Sequence, residues 1–261
     1  MTESSKRSRI RYVLRGVMIW ALAMVALGVA LWVVLRTAAT ATPAAMAANG
    51  EAMMGAKRVV AVVAHPDDAE YWMSGTLKRL GDAGARVVLI VASDGEKGPN
   101  RVNSADLGAT RRAEQKVAGS IMGYDDIVFL GQPDRSAADG EGVPGMIEDV
   151  LTRESPDLVI TFDGWKPQLP YLHPDHEAIG RMTVRLLRNM DYRGALYLFH
   201  TRRPDTAVDI SAVVKEKADA FRAHVSQHGG GTGEGPVRRM RATGAEYGLP
   251  PVEMFRGANK R

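Results

Sequence analysis

The chain has 261 residues, 45% of them apolar and 25% charged, which is the balance of a globular protein with length enough to bury a core and excludes a disordered one. It has no cysteine, so a disulfide scaffold, thiolate metal sites, iron–sulfur clusters and a cysteine nucleophile are all excluded. The net charge of +4 belongs to one end: residues 1–36 carry six basic side chains against one acid, Glu3, and the nearly neutral remainder speaks against a nucleic-acid partner.

In chain order, the first element is apolar. From Val17 to Leu35 no residue is charged. As a helix this run is roughly 28 Å long, close to the hydrocarbon thickness of a bilayer. Its length favours a retained anchor, although Ala45-Met46-Ala47 fits a small-x-small cleavage pattern and leaves secretion after signal cleavage as the alternative. Lys6, Arg7, Arg9, Arg11 and Arg15 precede the run, and Arg36 follows it. The positive-inside bias then places the N-terminus in the cytoplasm and the bulk of the chain outside. Residues 1–36 are read as a basic tail and transmembrane anchor, 37–56 as an Ala/Thr-rich linker, and 57–261 as the folded domain.

From Lys57 onward, strand-like and helix-like runs alternate. Val59–Ala64, Arg86–Ala92, Ile127–Leu130, Asp157–Phe162 and Ala195–Phe199 read as strands; the first two are continuous β-branched runs, as expected of strands buried on both faces. Helices are predicted over 70–83, 105–122, 144–154 and 174–190, with a last one over 211–227; Gly84 and Gly123 close the first two. Residues 229–235, GGGTGEG, read as a flexible stretch. This alternation predicts a three-layer, Rossmann-like α/β fold, with a mostly parallel sheet and helices on both faces, preceded by one transmembrane helix. Ligands bind such sheets at the carboxyl ends of strands near the switch point, so the chemistry is expected after strands one and four.

Both places carry it. After strand one stands Ala64-His65-Pro66-Asp67-Asp68, with none of the glycines of a dinucleotide-binding turn. After strand four stands Tyr171-Leu172-His173-Pro174-Asp175-His176. Two His and a carboxylate are the ligand types of a catalytic zinc site with one open position. A water there is brought to a pKa of about 7, a neighbouring carboxylate can accept its proton, and a further His can polarise the substrate carbonyl or protonate the leaving group.

With these motifs the chain resembles the LmbE-like, or PIG-L, family of zinc-dependent N-acetylglucosaminyl deacetylases, from about Arg58 to Arg256. The resemblance rests on AHPDD at 64–68 and HPDH at 173–176. It is supported by Arg111-x-x-Glu114 with Ala118 and Gly123, and by the tail Ala223-His224-x-Ser226-Gln227. It implies His65, Asp68 and His176 as metal ligands, Asp67 as general base, and His173 and Tyr171 at the oxyanion and leaving group. It implies Arg111 as a substrate contact, Asp134 against a sugar hydroxyl, and Asp175 as support for a histidine. It further implies Zn²⁺, for which Fe²⁺ or Co²⁺ can substitute in His/Asp sites. Ala69 stands where a Glu often follows AHPDD, and the loops 94–105, 131–142 and 163–172 are the family's variable part.

The expected function is removal of acetyl from an N-acetylglucosamine-containing glycoconjugate by a membrane-anchored, extracytoplasmic hydrolase. The alternatives are a zinc amidase acting on another amide, such as a thiol-sugar conjugate, and a non-catalytic glycan-binding module, which would need no base beside the metal. Of the remaining histidines, His200 is expected at a surface or core edge, His224 in a structural role and His228 in solvent. Arg238, Arg239 and Arg241 read as a solvated basic face.

Overall fold

The structure, a computed structural model, describes residues 3–35, 38–164 and 174–258. It separates into two compact units, Met1–Ala38 and Ala39–Arg261. The first is a single helix, α1 (Glu3–Leu35). Its segment Val13–Trp32 is long and apolar enough to cross a membrane, with mean hydropathy 2.1 and none of it buried against protein; a signal sequence meets the same criterion.

The second unit is built on seven strands: β1 (Arg58–Val63), β2 (Arg86–Ser93), β3 (Asp126–Gln132), β4 (Leu158–Phe162), β5 (Ala195–Phe199), β6 (Thr206–Asp209) and β7 (Val252–Gly257). They lie in the order β3-β2-β1-β4-β5-β7-β6. The first five pair in parallel. β7 runs antiparallel to both β5 and β6. β1, RVVAVV, is buried at every position after Arg58, as its unbroken apolar run requires of a strand covered on both faces. The chain winds outward from β1 through β2 to β3, then returns to β4 on the other side of β1. The switch point thus lies between β1 and β4, where both motifs converge.

The helices that place the site are α3 (Asp68–Trp72), α4 (Ser74–Asp82), α5 (Leu107–Met122) and α7 (Pro174–Asn189). Asp106 caps α5 by accepting from the Ala109 amide, and Gly123, at φ +74°, ends it in the left-handed conformation. α6 (Val143–Glu154) packs between β1 and β3.

Several expectations are corrected. The stretch 37–56 is no linker, because Pro43–Met53 forms a helix, α2, with Thr42 as N-cap. Met46 and Met53 are buried, and Gly50 lies so close to β6 that an added Cβ would stand 2.0 Å from the Ala207 carbonyl oxygen. α2 covers the edge strand of the sheet, and protecting an edge is reason enough to order it. The helix expected over 70–83 breaks at Met73 (φ −145°), giving α3 and α4. The helix expected over 211–227 is a 3₁₀ turn at 211–213 followed by α8 (Val214–Arg222) and α9 (Val225–His228), and it is not the last: α10 (Glu234–Glu246) follows. β6 and β7 are absent from the strands that the sequence pattern predicts. β6 has only four residues, and the apolar pattern of β7 is broken by Glu253, which is fully buried against Lys217 at 2.7 Å.

Candidate active site

β1 delivers the first motif. Beyond Val63 the chain turns so that the His65 amide donates to Asp68 Oδ2 at 2.8 Å, closing the AHPDD segment on itself. Asp67 sits at φ +93°, a conformation uncommon for a residue with a Cβ, and its amide is pinned to Gln115 Oε1 of α5 at 3.0 Å. The first turn of α7 brings Asp175 and His176 up from the other side of the switch point.

Three donors converge. His65 Nδ1 lies 3.2 Å from His176 Nε2 and 3.7 Å from Asp68 Oδ2, while His176 Nε2 lies 3.1 Å from Asp68 Oδ1. The His176 ring is stacked on Phe162, with centroids 4.3 Å apart and planes 9° from parallel, which fixes its rotamer. On the far side of His65, Nε2 meets Asp134 Oδ1 at 3.1 Å and Asp175 Oδ2 at 3.3 Å. Donation of Nε2–H to these carboxylates leaves Nδ1 as the nitrogen turned toward His176 and Asp68. Asp175 is itself held by the amides of Arg135 (2.7 Å) and Ala137 (3.1 Å), and Asp134 by the amide of Lys97 (3.0 Å).

The charge balance of this cluster fits a cation. Asp68, Asp134 and Asp175 surround two imidazoles in a space that is almost closed to water. Burial opposes the charging of His65, but its hydrogen bonds to Asp134 and Asp175 and the charge of Asp68 outweigh it and raise its pKa to about 10. Burial likewise pushes Asp68 and Asp134 up, and the two histidines pull them down: His176 and His65 hold Asp68 well below the ordinary range, and His65 holds Asp134 at about 2. His65, Asp68 and His176 offer one ligand atom each within 4.8 Å of one another, a set able to hold a metal ion.

Asp67 stands beside this triad. One carboxylate oxygen accepts from His228 Nε2 at 2.9 Å, and the other lies 3.5 Å from Arg111. Burial would raise its pKa; the His228 hydrogen bond and the Arg111 charge reverse that and hold it below the ordinary aspartate value. Its carboxylate is therefore ionised at neutral pH and able to take a proton.

Two residues expected to contact the substrate also hold parts of the site itself. Arg111 is 4% exposed and donates to the carbonyls of Pro66 (2.6 Å) and Gly95 (2.8 Å), bracing the first motif from beneath. Gly95 is required there, since a Cβ would fall 2.1 Å from the guanidinium and the backbone is at φ +67°. Asp134 is equally buried, with one carboxylate oxygen on His65 and the other on the Lys97 amide, so it backs a ligand histidine. Tyr171 and His173 lie outside the described residues. His200 is half-buried and stacked on Trp72 at 4.0 Å. Arg239 is exposed, as expected, with its guanidinium over the Trp72 ring at 4.7 Å.

His228 is exposed, as expected, and it also reaches Asp67, which was not expected. Its one sequence signal is its position directly after the tail pattern at 223–227. Also unread was the buried frame under α3, where Glu70 is met by Gln115, Tyr124 and His224 and where Lys217 pairs with Glu253. Two cavities flank the site. One of about 580 Å³ lies over the ends of β2 and β3, lined among others by Asp94, Glu96, Arg112 and Gln132. One of about 250 Å³ lies beside His228, lined among others by Phe221, Thr232 and Arg238.

Residues 60–187 match the family model described as PIG-L, GlcNAc-PI de-N-acetylase. The chain is 31% identical over 190 residues to the diacetylchitobiose deacetylase of Thermococcus kodakarensis, covering 66% of this chain and 70% of that protein. It is 31% identical over 164 residues to the 1D-myo-inositol 2-acetamido-2-deoxy-α-D-glucopyranoside deacetylase of Kineococcus radiotolerans, covering 50% of this chain and 45% of that protein. Among solved structures it is similar to the N,N'-diacetylchitobiose deacetylase of Pyrococcus horikoshii, with TM-score 0.70 and 27% identity over 78% of this chain and 84% of that one.

Proposed function

The chain belongs to the PIG-L family of metal-dependent deacetylases, and from that premise we propose that it is a zinc hydrolase removing acetyl from an N-acetylglucosamine-containing glycoconjugate. The observation that carries this reading is the separation of tasks at the switch point. Three donors, His65, Asp68 and His176, point at one another, while the adjacent carboxylate of Asp67 stays out of that set and ionised.

Zinc held by the three donors would supply Lewis acidity and bring the pKa of a water toward about 7. The rest is done by side chains of this chain. Asp67 accepts the proton of the attacking water as the new C–O bond forms at the amide carbonyl. That proton then passes to the nitrogen as the C–N bond breaks, leaving acetate and a free amine. Asp134 and Asp175 hold His65 with Nδ1 directed at the triad. Arg111 fixes Pro66, and with it the strained backbone of Asp67. His173 and Tyr171 are assigned, from the motif, to stabilise the oxyanion, with His173 assisting the transfer of that proton to the leaving nitrogen. The glycan is assigned to the cavities bordered by the loops 94–105 and 131–142 and by the Gly-rich segment after His228.

The test is acetate release by the zinc-loaded chain from a panel of N-acetylglucosamine glycoconjugates. Acetate and free amine in equal amounts are expected; release of a different acid from a non-acetyl amide would assign the site to another amidase reaction. We also propose that α1 is a retained anchor with its N-terminus in the cytoplasm, supported by the five basic residues before Val17. A reporter fused after Arg261 should be active outside the cytoplasm; a C-terminus reached only by cytoplasmic probes would overturn this.

A further inference from the structure

We propose that His228 is a positioning residue for the reaction: its Nε2–H holds the Asp67 carboxylate in the orientation from which Asp67 takes the proton. The proposal rests on the reading of Asp67 as the base.

His228 is exposed at one edge, yet its position beside the acid is held by its neighbours. The three residues that precede it in the tail pattern are each clamped. His224, fully buried, meets Glu70 Oε2 at 3.2 Å. Ser226 gives both its amide (2.7 Å) and its hydroxyl (2.6 Å) to Glu114. Gln227 donates to the Pro99 carbonyl at 2.7 Å, and Arg101 returns bonds to the carbonyls of Ser226 and Gln227. Gly229, at φ +69°, lets the chain turn away immediately afterwards. The backbone of His228 is thus fixed on one side by buried polar contacts. Its ring is fixed on the other by Phe221, with centroids 4.2 Å apart. From that position Nε2 reaches Asp67 Oδ2 at 2.9 Å.

Asp67 needs such a partner. Its amide is tied to Gln115 and its φ is set at +93°, so the remaining freedom is rotation of the carboxylate. Arg111 restrains this only weakly. It stands 3.5 Å from Oδ1 and is spent on two carbonyls. His228 supplies the hydrogen bond that, among the described residues, fixes one oxygen and leaves the other for the proton transfer. A displacement of a catalytic group by about 1 Å can cost on the order of 10²-fold in rate, so loss of this bond should appear in kcat and not in binding.

The experiment separates the donor from the ring. In the full zinc-loaded chain, His228→Phe keeps the contact with Phe221 and removes the donor, while His228→Gln keeps an N–H donor and removes the ring. With diacetylchitobiose as probe, His228→Phe should retain zinc and KM within about twofold and lose kcat by roughly 10- to 100-fold. His228→Gln should stay within about fivefold of wild type. A His228→Phe variant as fast as wild type, or a His228→Gln variant as slow as His228→Phe, overturns the proposal. A second readout needs no turnover: with ¹⁵N-labelled histidine, the His228 Nε2 resonance should be that of a protonated nitrogen and should move in Asp67→Asn. A proton on Nδ1 alone, or indifference to Asp67→Asn, overturns it as well. If the wild-type chain releases no acetate from any member of the glycoconjugate panel, the deacetylase reading fails, and the nitrogen spectrum still decides the His228–Asp67 bond.

Discussion

Replacing Lys217 by Met should cost more stability than any single change at the reacting groups. Lys217 is fully buried, as is its partner Glu253, and their charged atoms are 2.7 Å apart. The ammonium also donates to the carbonyls of Glu70 (2.7 Å) and Tyr71 (3.3 Å). Glu253 accepts from the amides of Gly75 (3.0 Å) and Thr76 (2.7 Å). The pair therefore joins β7 to the end of α3 and the start of α4, the segment that begins with Asp68. Removing one partner of a buried pair strands the other charge, at about 3–5 kcal/mol, and here two carbonyls lose their donor as well. Against a total of about 5–15 kcal/mol, that is a large fraction. For a unit of this size it corresponds to a fall in Tm of roughly 6–20 °C. The assay is thermal and urea unfolding followed by circular dichroism, with Glu253→Gln and the double variant completing a cycle. The double variant strands no charge, so it should be less destabilised than the two single losses added, by about 1–3 kcal/mol. A Lys217→Met variant within about 1 kcal/mol of wild type, or strict additivity, would refute the claim that the pair acts as one buried unit.

Asp134→Ala should weaken zinc binding by roughly 10- to 100-fold, because it frees His65 from one of the two carboxylates that orient it; metal titration with unchanged affinity would return Asp134 to the substrate side. Asp67→Asn should keep its zinc and lose about 10²–10⁴-fold in kcat, whereas Asp68→Ala should lose zinc and rate together; near-normal turnover in Asp67→Asn removes it as base. In the metal-free chain His65 has its pKa raised from 6.5 to about 10, so the stability its proton contributes is complete below pH 6.5 and is lost as pH rises through about 10. Zinc uptake at pH 7 should then release about one proton, read by calorimetry in buffers of different ionisation heat; no buffer dependence would contradict the charged His65. A fragment starting at Lys57 should be less stable than one starting at Ala39 by about 3–6 kcal/mol, since it lacks the buried Met46 and Met53 of α2, and equal urea midpoints would restore the linker reading.

What the sequence determined by itself is whatever local pattern controls. The parallel strands β1, β2 and β4 were legible because strands buried on both faces must be almost continuously apolar, and VVAVVA, VVLIVA and LVITF are, with Thr161 the one polar member. The place of the chemistry followed from the two His/Asp motifs after β1 and β4, because parallel α/β sheets bind ligands beyond the carboxyl ends of their strands; the pairing of β1 with β4 then brings the two together. The apolar run of α1 was legible for the same reason: length and hydropathy need no partner. Tertiary structure decided everything that depends on a residue's partner. Glu253 hid β7 because a charge inside a strand reads as a break until Lys217 is placed against it. The Ala-rich segment at 43–53 reads as a linker until the exposed edge of β6 gives it a surface to cover. Arg111 and Asp134 are polar residues beside a site in any reading of the sequence. Only their burial and hydrogen bonds show that they hold the site's own backbone and ligand histidine. His228 lies 161 positions from Asp67, and no periodicity spans that distance; a hydrogen bond between them exists only once the tail at 223–227 is clamped onto Glu70, Glu114 and Pro99.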